Sequence, residues 1–190
     1  METQLTDLEK QTLLKLARQA LEVGVRGDTP VPIEYAKLGP ALRENGACFV
    51  TLTQHGQLRG CIGTLEAHQP LAKDVQEHAV AAALNDYRFV QVTPAELDEI
   101  KIEVSRLTPP QPLQYRDAED LLEGLRPGLD GVTLRDSSGR RATFLPQVWQ
   151  QLPEKADFLT HLCQKMGASP QAWRSQHLSV QTYQVEEFHE

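Results

Sequence analysis

Two glycines, a cation and a thiol crowded into one strand leave a chain few ways to fold around it, and Leu58-Arg59-Gly60-Cys61-Ile62-Gly63 is such a strand. Glycine weakens a strand interior unless another backbone or a ligand must come close, or a bulge is needed. Regular alternation sends Arg59, Cys61 and Gly63 to one face and Leu58, Gly60 and Ile62 to the other. One face then carries charge, sulfur and open space. Cys61 becomes a candidate nucleophile, and Arg59 a candidate partner for its thiolate or for an anion. Gly60 and Gly63 become candidate binding positions. The competing reading is a strand narrowed so that a helix packs on it, with Cys61 a small buried hydrophobe.

The flanking pattern supplies that helix. Residues 47–52 and 58–65 read as a β-hairpin across Thr53-Gln54-His55-Gly56-Gln57. Pro70 suits a first helical position, and Leu71, Val75, Ala79 and Ala82 line one face of a helix to about Asn85, small enough to sit close to the Gly60/Gly63 strand. Upstream, Thr6 and Glu9 form a capping box ahead of an apolar stripe that Gly24 should end, and a Gly/Pro connector follows over 25–32. A second capping box, Thr93-Pro94-Ala95-Glu96, precedes a half-buried strand over 100–107.

Three prolines in Thr108-Pro109-Pro110-Gln111-Pro112 mark a candidate lobe boundary within a single 1–190 domain. Beyond them come a short helix capped by Asp117, a hairpin around 136–139, a helix over 155–166 with Gly167 past its end, a short helix with Trp173, and a strand over 178–185. Two hairpins and no β-α-β rhythm give an α+β fold with mainly antiparallel sheets flanked by helices.

The formal net charge of −7 argues against a protein whose main task is neutralising a nucleic-acid backbone. Three widely spaced cysteines fit a reduced, cytoplasmic setting. Met1-Glu2-Thr3-Gln4 shows no leader, and no apolar run is long enough to span a membrane. His55 is the nearest histidine to Cys61 in sequence and a weak candidate base. Glu103, on the polar face of its strand, is a further weak candidate beside a solvated reading. Asp86 and Arg88 are binding candidates or a turn cap with a surface ion pair. No metal site is expected: His161 and Cys163 point about 200° apart around their helix, and the other histidines lack paired zinc spacings. Nor does any cofactor motif occur. Gly60-x-x-Gly63 in a strand is not the RNA-clamping loop of KH domains, and Arg135, Arg140 and Arg141 read as a solvated hairpin end.

The hexapeptide at 58–63 resembles the hallmark of the AMMECR-type domain, called AmmeMemoRadiSam system protein A in bacteria and archaea. Further similarities run in order: Gly46 with Phe49-Val50-Thr51-Leu52, Asp86 with Arg88-Phe89, Glu103-Val104-Ser105, and Leu145-Pro146-Gln147-Val148. Phe158-Leu159, Leu162-Cys163, Lys165, Trp173 and Phe188 complete them, while Tyr87 and Met166 depart from the usual proline and alanine. The resemblance implies a larger lobe containing both termini, a smaller lobe, and a cleft near the hallmark strand. It implies company, a MEMO-like protein and a radical S-adenosylmethionine protein, but no assigned chemistry. A thiol-dependent or small-substrate-binding component is the leading expectation. A non-catalytic scaffold is the alternative and an RNA-associated role the third. Oligomeric state stays open.

Overall fold

The structure, a computed structural model, describes residues 4–190; Met1 to Thr3, read above for a leader, lie outside the described residues. The chain folds into helices and antiparallel sheets as two compact units, one running to Thr108 and taking back Glu186–Glu190, the other Pro109–Val185.

The first helix, α1 (Asp7–Val25), opens on a complete capping box: Thr6 Oγ1 accepts from the Glu9 amide at 3.3 Å, and Glu9 Oε2 accepts from the Thr6 amide at 2.9 Å. Gly24 does not stop it as the sequence suggests. A Cβ at Gly24 would lie 2.8 Å from Val80 Cγ1, so this glycine serves close helix packing, and the left-handed residue beyond the end is Gly27 at φ +83°. After the short α2 (Pro40–Arg43), β1 (Asn45–Gln54) and β2 (Gln57–Gly63) form the expected hairpin. Its turn residues, His55 and Gly56, have φ of 51° and 76°, the left-handed pair of a type I′ turn.

Then come β3 (Gln69–Pro70), paired with the start of β1, and α3 (Leu71–Leu84), with Pro70 as its N-cap rather than its first residue. After β4 (Ile100–Leu107) the strand order is β2-β1-β4, completed at the far edge by the last strand of the chain. Val50, Leu52, Ile100, Ile102 and Val104 are buried with Leu13, Ala17, Leu21, Val75 and Ala79 of α1 and α3. Each such Val, Leu or Ile side chain contributes about 1.5–3 kcal/mol by leaving water. The opposite face carries Thr51, Cys61 and Glu103, all half-buried.

The second unit contains β5 (Gln111–Pro112), α4 (Ala118–Gly124), β6 (Gly131–Arg135), β7 (Arg141–Phe144), α5 (Lys155–Lys165), α6 (Ala172–Ser175) and β8 (Ser179–Tyr183), with strand order β5-β8-β6-β7. Trp149 stacks on Phe158 with ring centroids 3.7 Å apart, at the centre of its core. The single strand expected over 178–185 is two strands: β8 ends at Tyr183, and β9 (Val185–His189) joins the first sheet beside β4. Tyr183 is fixed by hydroxyl contacts to Thr143 and Phe144 within the second unit, whereas Phe188, beyond the expected run, is buried in the first unit's core. No helix among the described residues is long and apolar enough to cross a membrane.

Candidate functional site around Cys61

Leu52 pairs with Gly60 and Thr53 with Leu58, so Arg59 is the extra residue of a β-bulge. The alternation read from the sequence is broken there, because a bulge leaves one residue unpaired and re-aims its side chain. Arg59 Nε donates to Glu96 Oε1 at 2.8 Å and Nη2 to Glu96 Oε2 at 3.3 Å. Nη1 and Nη2 also donate to the carbonyls of Val90 at 2.7 Å and Gln91 at 3.3 Å. Arg59 thus fastens the 90–96 segment along β2. Glu96 is itself the reaching residue of the second capping box. Its bond with Arg59 first, against the opposing push of burial, and then the Thr93 amide and hydroxyl bring its carboxyl down to about 2.

Arg59→Ala and Glu96→Gln are therefore expected to destabilise by about 1–2 kcal/mol each, and by less than the sum together, with a coupling near 1 kcal/mol. Because the folded-state pKa of Glu96 is depressed, this stabilisation is complete above the ordinary glutamate pKa and is lost as pH falls toward about 2. Urea unfolding of the double-mutant cycle at neutral and acidic pH checks both; an unchanged coupling in acid contradicts the assignment.

Both glycines face the protein's own atoms. A Cβ on Gly60 would stand 2.1 Å from the Ala82 carbonyl oxygen, so the α3 backbone rests on the strand there. At Gly63 it would stand 2.3 Å from the Cys48 carbonyl oxygen and 2.5 Å from the Phe49 ring. The helix packing expected at both glycines occurs at Gly60, while the neighbouring strand fills the space at Gly63.

Just past α3, Asp86 reaches the outer edge of β2, where its Oδ2 accepts from the Cys61 amide at 2.9 Å. Arg88 Nε and Nη2 donate to Asp86 Oδ1 and Oδ2 at 2.9 and 2.7 Å, and Nη2 also donates to the Cys61 carbonyl at 3.3 Å. The guanidinium bonded at Cys61 is Arg88, not Arg59. Hydrogen bonding to Arg88 first, opposed by burial and helped by the Cys61 and Arg88 amides, holds the Asp86 carboxyl far below the usual carboxylate range. With Asp86 as its chief partner, Arg88 is more firmly protonated than usual.

The Cys61 sulfur lies on the half-buried face of the sheet, and Thr51 Oγ1 donates to it at 3.3 Å. Cys61, Thr51 and Glu103 are register partners across three strands, so they form one row on that face. Two inter-strand steps put Cys61 and Glu103 about 10 Å apart. Glu103 makes no ion pair among the described residues. His55 is drawn elsewhere: at the hairpin tip its Nε2 lies 3.2 Å from Glu99 Oε2 and its side chain is 74% exposed. Cys48 and Cys163 are fully buried, and burial foremost raises both thiols.

The sequence reading missed a second grouping. One ligating atom each from Cys48, Asp74 and His78 lies within 4.8 Å of the others. Asp74 and His78 stand one turn apart on α3, a spacing visible in the sequence; the approach of Cys48 depends on how α3 seats on β1. A cavity of about 320 Å³ lies elsewhere, between Thr12, Lys15 and Gln19 of α1 and Ile33, Lys37 and Leu38 of the connector region, and Cys61 does not line it.

A protein of Methanothermobacter thermautotrophicus is 38% identical over 183 residues, spanning 96% of this chain and 94% of that protein. Protein MK0488 of Methanopyrus kandleri is 35% identical over 202 residues, spanning 100% and 92%. The crystal structure of the uncharacterized protein PH0010 from Pyrococcus horikoshii is similar at a TM-score of 0.78 and 30% identity, covering 98% of this chain and 93% of that one. The AMMECR1 family matches residues 14–188, from the body of α1 through β9, and the chain belongs to that family.

Proposed function

We propose that the protein is a small-substrate-binding or thiol-dependent component that works with a MEMO-like protein and a radical S-adenosylmethionine protein, with Cys61 as the group that meets the substrate. The observation that carries this reading is the split between a fixed backbone and a side chain left on the half-buried sheet face, unlike the fully buried Cys48 and Cys163. Asp86 and Arg88 hold the Cys61 amide and carbonyl, while the sulfur stays on the half-buried sheet face under a Thr51 hydroxyl. A group positioned in advance loses less freedom when a ligand arrives. Support for the partners is the resemblance to AmmeMemoRadiSam system protein A. In folded protein, iodoacetamide should modify Cys61 well before Cys48 and Cys163, which react only as fast as the chain opens. Peptide mapping over a time course reads the order, and equal rates at the three cysteines would sink the thiol-dependent reading. Cys61→Ser should keep its stability within about 1 kcal/mol, since the clamp holds main-chain atoms.

A second reading is a non-catalytic protein-binding scaffold. It is favoured by the commitment of Arg59, Gly60 and Gly63 to internal contacts. Co-purification with the two partners that survives Cys61→Ser supports it over catalysis.

A further inference from the structure

We propose that Cys48, Asp74 and His78 bind one divalent transition-metal ion of the zinc class, at a site separate from Cys61. The three side chains converge from two elements, Cys48 from β1 and the other two from successive turns of α3. Asp74 Oδ2 lies 3.2 Å from His78 Nδ1, and Cys48 Sγ lies 3.9 Å from the same nitrogen. Tetrahedral zinc, with bonds of about 2.0–2.2 Å to nitrogen and oxygen and about 2.3 Å to sulfur, requires separations of about 3.4 and 3.6 Å for these pairs. Both observed distances are within a few tenths of an ångström of that geometry.

The convergence on one ring nitrogen is informative. In a nucleophile-base-orienter triad the imidazole would use one nitrogen for sulfur and the other for the carboxylate. Here both meet Nδ1, which suits a shared cation and not a proton relay through the ring. Sulfur, nitrogen and carboxylate together favour zinc or cobalt over magnesium or calcium.

Charge points the same way. Asp74 is fully buried and Cys48 is fully buried, and a carboxylate and a thiolate together would cancel one dication. The carboxylate is already aimed: Asp74 Oδ2 accepts from the Cys48 amide at 3.0 Å and Oδ1 from Gln69 Nε2 at 3.1 Å. Such outer hydrogen bonds fix a ligand's orientation. His78 is half-buried, with 14% of its side chain exposed, so an ion and a water for the fourth position enter from its side. On binding, the metal–sulfur bond replaces the S–H bond and one proton goes to solvent; the neutral imidazole keeps its proton on Nε2.

Chelator-treated full-length protein titrated with cobalt(II) should develop thiolate-to-cobalt charge-transfer absorption and tetrahedral visible bands, saturating at one equivalent. Zinc titration calorimetry in buffers of different ionisation enthalpy should report release of one proton. Cys48→Ser should abolish the charge-transfer band, and His78→Gln should weaken zinc by at least about tenfold. Cys61→Ser and Cys163→Ser should leave both signals intact, which separates this site from the proposed reactive thiol. Absence of the band in the parent protein, or a band lost with Cys61→Ser, would overturn the proposal. If Cys48→Ser fails to fold, His78→Gln at the less buried ligand decides alone: unchanged zinc affinity rejects the site.

Discussion

Gly60→Ala should destabilise the protein by about 3 kcal/mol or more, a large fraction of the roughly 5–15 kcal/mol that holds a typical domain folded. The added methyl carbon would overlap the Ala82 carbonyl oxygen at 2.1 Å. That oxygen belongs to a helix backbone, so no side-chain rotation relieves the contact and α3 must move as a body off the sheet. Shifting α3 disturbs Leu71, Val75, Ala79 and Ala82, all buried in the first core. Gly27→Ala is the control: nothing lies within 4 Å, and its cost is the left-handed backbone at φ +83°, about 1 kcal/mol. Urea midpoints for the two variants measure the difference. Equal midpoints would mean that the strand tolerates a side chain at position 60.

Asp86→Asn is expected to destabilise by about 2–3 kcal/mol at neutral pH. The variant keeps the shape but loses the charge that Arg88 grips through two nitrogens, and weakens the acceptor for the Cys61 amide. The Asp86 side chain is 2% exposed, whereas that of Arg88 is 46% exposed, so water can take over the stranded guanidinium and the loss stays below that of a fully buried pair. The folded pKa of Asp86 lies below its unfolded value, so its contribution is complete above the ordinary aspartate pKa and declines as pH falls toward the depressed folded value. The parent should therefore lose its advantage over Asp86→Asn on acidification. Paired urea titrations from neutral pH into strong acid test this, and a difference constant with pH would show that the charge is not the source.

Local rules carried much of the fold. The capping boxes at Thr6 and Thr93, the hairpin at His55-Gly56 and the alternation of Ile100, Ile102 and Val104 were all readable because their causes are a few residues long. Errors arose where a distant contact overrode a local one. Gly24 looked like a helix stop, yet it faces Val80; the run over 178–185 looked like one strand, yet β8 ends at Tyr183 and Val185 begins a strand of the other sheet. At the candidate site, Cys61 was legible as a thiol in glycine company. The pairing of Arg59 with Glu96 is illegible locally because a bulge is invisible to strict alternation and the acidic partner lies 37 residues away in sequence. For Asp86 and Arg88, nothing local says that they grip a main-chain amide and carbonyl 25 and 27 residues upstream. Cys48 escaped notice since its companions arrive only when α3 docks.

Strand β2 is the outermost strand on its side of the first sheet. Unsatisfied amides and carbonyls on such a border invite a strand from another molecule to add on, the first step toward polymerisation. By occupying the outward amide and carbonyl of Cys61, Asp86 and Arg88 act as a molecular hem: at its centre, the segment richest in chemistry denies an incoming strand one pair of hydrogen bonds.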